Sequence, residues 1–143
     1  MPWGVFILFG GGLALAAAME RSGLSAAIGN AFAGLGSLPA PAIVGIVVVS
    51  LVFASEIASN TALTATAVPI LGALAPSLGL KPQALVIPAA LGASLAFMLP
   101  VGTPPNAMAF ATGRVPSGTM ARVGLVLDLL AAVVVTLLAW LLL

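Results

Sequence analysis

Two short polar clusters interrupt an otherwise apolar chain: Ser59-Asn60-Thr61 and, beginning 43 residues after Ser59, Gly102-Thr103-Pro104-Pro105-Asn106. Their side chains offer hydroxyl and amide oxygens. The prolines and glycine of the second cluster also free backbone carbonyls from helical bonding. Neutral oxygens gathered at a helix break suit a small alkali cation, and helices starting near Thr61 and Asn106 would aim free N–H groups and partial positive charge at an anion. A cation and an anion bound side by side need no charged side chain in the site, which avoids placing an unpaired ion in hydrocarbon. Each would favour binding of the other.

The surroundings of the clusters are membrane-like. Of 143 residues, 62% are hydrophobic and 5% charged, far from the roughly one-quarter charged residues of a soluble domain. A net charge of +1 is too little to grip nucleic acid. There is no Cys or His, which removes disulfides, thiolate and imidazole metal sites, and Cys or His catalysis. Ser59 or Ser94 as a nucleophile would need a base, and only the remote Glu56 and Lys81 are available, so an enzyme is not expected.

Several apolar segments must position the clusters. Residues 2–19 lack a basic leader and run into Glu20-Arg21, which reads as a membrane helix rather than a signal peptide. Gly4, Gly10, Gly11 and Gly12 in that run suit close helix packing. Residues 22–36 place Leu24, Ile28, Phe32 and Leu35 at helical spacing, a pattern for a helix along the interface. From Ala40 to Ala75 the chain is apolar apart from a few Ser, Thr and Asn residues and Glu56. As one helix that segment would measure about 54 Å against a hydrocarbon core of about 30 Å. It must break, and Ser59-Asn60-Thr61 is the natural point. The arms are either a re-entrant hairpin or two full crossings.

Residues 83–99 form a further apolar run with Pro88 as a kink, expected to stop at Pro100. Three prolines and a glycine within 100–106 cannot continue a helix, yet apolar residues resume at once. Such a stretch at membrane depth is tolerated only where protein buries it or it lines a cavity. A final crossing follows the polar connection that carries Arg114 and Arg122. Arg21 and Lys81 fall on the opposite side, a two-to-two tie that gives no orientation.

Of the remaining polar residues, Glu56 reads as structural, bonding backbone at the tip or reaching the interface. A proton-coupling role would need a partner, and the sequence offers none. Asp128, near the interface or capped by another helix, is given no transport role. An oxygen-lined channel is the competing function, but a filter normally repeats one ring of ligands. Here the two breaks differ, which favours an asymmetric carrier site.

At these residues the sequence resembles the divalent anion:sodium symporter family, carriers of di- and tricarboxylates or sulfate. The likeness runs through Trp3–Leu15 (WGVFILFGGGLAL), Glu56–Ala62 (EIASNTA) and Ser94–Met108 (SLAFMLPVGTPPNAM). The last segment follows the family signature through Ser94, Phe97, Pro100, Gly102 and Asn106, departing only in having Ala109 where valine is usual.

The resemblance implies an all-α integral membrane fold, the second inverted repeat of an elevator-type transporter. Its parts would be a membrane helix (about 2–20), an interfacial helix (about 22–36), a re-entrant hairpin (40–76), a broken helix (83–113) and a final membrane helix (119–143). It implies sodium at Ala58, Ser59, Asn60, Gly102 and Pro104, and the substrate carboxylate at Ser59, Asn60, Thr61 and Thr103, with Pro105 and Asn106 supporting the loop. The function implied is sodium-coupled transport of succinate-like dicarboxylates, in the inner membrane of a bacterium. Family members are about three times longer and homodimeric. The chain is therefore expected to supply half a site, as a fragment of a longer product or with a partner chain, and a fragment without transport of its own is the alternative.

Overall fold

The computed structural model describes residues 3–24, 27 and 38–142, and among them there is no strand. The interfacial helix expected over 22–36 lies outside the described residues, apart from Ser22–Leu24 and Ala27. Among the described residues six α-helices follow in order: α1 (Trp3–Arg21), α2 (Ala40–Ser55), α3 (Asn60–Leu74), α4 (Pro82–Gly92), α5 (Pro104–Ala111) and α6 (Ser117–Leu142).

Their ends follow from local chemistry. Pro41 and Pro82 sit in the first turns of α2 and α4, where a missing N–H costs nothing. The α3 helix tightens into a 3-10 turn over Ala75–Leu78 and closes at Gly79, φ +71°, a left-handed position that glycine adopts without a Cβ penalty. Leu80 N there donates to Ala75 O at 3.0 Å.

Among the described residues, Asn60–Leu78 and Ser117–Leu142 are long and apolar enough to cross a membrane; Ala40–Ser55 and Pro82–Gly92 are shorter apolar helices. The α4 helix is the shared neighbour of the first break, packing on both α2 and α3, while α2 and α3 touch each other little. Helix α6 closes over α2 and α4, and α1 lies along α3. The core is made of Ile43, Val44, Val48 and Val52 of α2 with Leu85, Ala132 and Ala139. Large apolar side chains such as Val126, Leu130, Val133 and Leu137 instead face outward from α6, the arrangement suited to a lipid solvent.

Small residues set the helix spacing. Helix α6 buries Met120, Gly124, Asp128, Ala132 and Ala139, mostly one turn apart along a single face. At Gly124 the non-helical backbone of Phe97 and Met98 comes so close that a Cβ would overlap it. At Gly92 a Cβ would meet Val48 O of α2 at 3.2 Å. Gly124→Ala is therefore expected to lower stability by ~1–3 kcal/mol, the usual range for overpacking. Gly118→Ala, whose site is open, is expected to leave stability unchanged or slightly higher. Thermal unfolding of the purified chain in detergent micelles checks the pair.

Candidate functional site

Helix α2 stops at Ser55 because its last polar residues spend their bonds elsewhere. The Ser55 hydroxyl shares its one proton between Val52 O, at 2.7 Å, and Leu95 O of the later break. Residues 56–59 then turn, with Ala58 N donating to Ala54 O at 3.0 Å. Ser59, extended at φ −62° and ψ 123°, caps α3, its Oγ accepting from Ala62 N at 3.4 Å. A hydroxyl in this position contributes about 1 kcal/mol to a helix start. Thr103, at φ −143° and ψ 153°, does the same for α5, accepting from Asn106 N at 3.4 Å. Both clusters thus begin helices from side-chain oxygens.

The second break lies earlier than the 100–106 expected from the prolines: α4 already ends at Gly92, and Pro104, Pro105 and Asn106, expected to be non-helical, form the first turn of α5, where missing N–H groups cost nothing. Side chains from elsewhere take over the bonds that helix would have made across 95–99. Leu95 O accepts from Ser55, and Met98 N and Leu99 N donate to Glu56 Oε1 and Oε2 at 2.7 and 2.8 Å. Asn106 Nδ2 donates to Ala96 O at 2.9 Å and Leu99 O at 3.0 Å. These bonds lower the cost of carrying non-helical chain at depth.

Glu56 joins the two breaks. Its carboxylate is 4% exposed and lies against Gly102, where a Cβ would stand 3.3 Å from Oε2. Of the residues named from sequence, Ala58, Ser59, Thr61, Pro104 and Pro105 are exposed, and Asn60, Gly102, Thr103 and Asn106 are half-buried. Asn60 Oδ1 is itself buried and without a hydrogen-bond partner, a free oxygen at the start of α3. Each cluster presents hydroxyl, amide and backbone groups at a helix N-terminus, and Glu56, next to the first, and Asn106, within the second, bond the same stretch of chain at 96–99.

Sequence reasoning missed three features. Ser55 carried no expectation, and Glu56, expected to bond backbone at the tip or reach the interface, bonds the backbone of the later break at Met98 and Leu99. Asp128, expected near the interface or capped by another helix, is fully buried, with its carboxyl within reach of that of Glu56 and beside the Phe97 backbone. The available signal was its position one turn after Gly124 on the small-residue face of α6.

The pattern of the sodium:sulfate symporter transmembrane region matches residues 1–143. The chain is 43% identical over 140 residues to the sodium-dependent dicarboxylate transporter SdcS of Staphylococcus saprophyticus, covering 98% of this chain and 27% of that protein. It is 44% identical over 137 residues to human solute carrier family 13 member 2, covering 96% of this chain and 23% of that protein. The chain thus spans about a quarter of the length of these relatives.

Glu56→Gln keeps one acceptor and leaves either Met98 N or Leu99 N without its partner. Its expected cost is ~1–3 kcal/mol, the penalty of an unsatisfied buried donor. Amide hydrogen exchange at Met98 and Leu99 should accelerate in this variant, while exchange in the middle of α6 stays slow. Equal protection in both proteins would remove the clamp.

Proposed function

The chain belongs to the sodium:sulfate symporter family, the divalent anion:sodium symporters, and from that membership we propose that it supplies one half of the sodium and substrate site of a sodium-coupled dicarboxylate transporter. The observation that carries this reading is the meeting of two helix breaks through Glu56, which brings the starts of α3 and α5 onto one loop.

In this reading Ala58, Ser59, Asn60, Gly102 and Pro104 surround sodium with neutral oxygens, the free Oδ1 of Asn60 among them. Sodium binding orders the tip and loop and places positive charge beside the anion position. The N–H groups at the starts of α3 and α5, with the hydroxyls of Ser59, Thr61 and Thr103 and the Asn60 amide, then meet a substrate carboxylate. Pro105 sets the first turn of α5 and Asn106 holds the loop. The loaded unit would move as a rigid body across an inner bacterial membrane, as one of two inverted repeats in a homodimer. The first half of the site comes from the remainder of a longer product or from a partner chain. In this arrangement α1 and α6 cross the membrane, α2 and α3 form a re-entrant hairpin, and no enzymatic step is involved.

The test is a graft. With this chain in place of the matching 140 residues of the staphylococcal carrier, proteoliposomes are expected to take up labelled succinate in a saturable, sodium-dependent way. Non-saturating ohmic current would support a channel, and no uptake a chain without transport capacity. In the active graft, Asn60→Ala is expected to weaken sodium activation and succinate uptake together, each by about tenfold, the equivalent of ~1.4 kcal/mol. Wild-type sodium activation in that variant would remove the assignment. Thr61→Val should change which anions compete with succinate, and an unchanged competition profile would count against its role.

A further inference from the structure

The proposed sodium and substrate site, or rim site, leaves one buried group without a task. Both oxygens of Asp128 lack a hydrogen-bond partner, and the residue is completely buried. It faces the carboxyl of Glu56, whose two oxygens each accept a single backbone N–H and keep further lone pairs. Two acceptors set face to face need a proton or a cation between them. All four basic residues of the chain, Arg21, Lys81, Arg114 and Arg122, have exposed positions, so none is buried with the pair. Two carboxylates closed into an apolar interior without a counter-charge are strongly disfavoured.

The pair is closed off from solvent. It is bounded by the turn after α2, the buried face of α6 and the non-helical stretch carrying Phe97, whose backbone lies beside Asp128. Gly124 lets that backbone approach α6. We propose that Glu56 and Asp128 together bind an alkali cation, at a second sodium site beneath the rim of Ser59, Asn60 and Gly102. The N–H groups of Met98 and Leu99 offset part of the Glu56 charge, so a monovalent ion suffices. Because Glu56 also holds the loop, an ion here stiffens the floor on which the rim site stands. The proposal deepens the sodium-coupled reading and rests on it for the identity of the ion.

Equilibrium binding of radioactive sodium to the purified chain in nanodiscs tests it. At a sodium concentration that just fills the wild-type chain, two ions are expected to bind to it and one to Asp128→Asn, while Asn60→Ala needs about tenfold more sodium to take up its second ion. Two ions in Asp128→Asn, or none in the wild type, overturn the buried site. If Asn60→Ala keeps both ions at that concentration while Asp128→Asn loses one, the rim assignment fails and the buried site stands. Infrared difference spectra on exchanging choline for sodium decide the matter even if Asp128→Asn does not fold. A sodium-dependent shift of the wild-type carboxylate bands supports the site. A protonated-carboxyl band that persists in sodium shows a proton in place of the metal and overturns it.

Discussion

Two backbone N–H groups, those of Met98 and Leu99, donate to the one buried carboxylate of Glu56, and the geometry of the molecule depends on that clamp. Chain that leaves helical form inside an apolar layer must find a partner for every donor and acceptor. Here the partners come from outside the break: Ser55 and Glu56 at the end of α2, and Asn106 in the first turn of α5. Charge-assisted bonds to a carboxylate are stronger than neutral ones. A single side chain can therefore hold the tip between α2 and α3 against a loop 42 residues further on.

The packing around this clamp depends on small side chains. Gly92 brings α4 onto the backbone of Val48, and Gly124 brings α6 onto Phe97 and Met98. Between them lie Ala89, Ala93 and Ala96, all fully buried. Where the surrounding solvent is as apolar as the core, burial of bulk gives little net gain, and close backbone approach with satisfied polar groups takes its place. The same economy explains why leucine and valine crowd the outer face of α6.

Much of this was readable from residue types. Composition alone pointed to a helical membrane protein, the polar clusters and prolines marked both interruptions, and the segments around Ser59 and Pro100 carried the family resemblance. What escaped was long-range. Nothing in the apolar run Ser94–Leu99 forbids helix, so its unwinding was invisible without the side chains that capture it from Ser55, Glu56 and Asn106. Asp128 stands 72 residues after Glu56, and no periodicity announces that two acids so far apart share one enclosure.

Among the described residues, helix α5 buries none of its side chains and packs closely on no other helix, leaving Met108 and Phe110 exposed. It is held mainly at its base, where Thr103 caps it and Asn106 grips the carbonyls of Ala96 and Leu99. About 12 Å of rigid rod pivoting on such a root is a lever. Torque applied to its greasy outer end is delivered to two carbonyl oxygens in the middle of the molecule, so whatever grips that end acquires a handle on the loop.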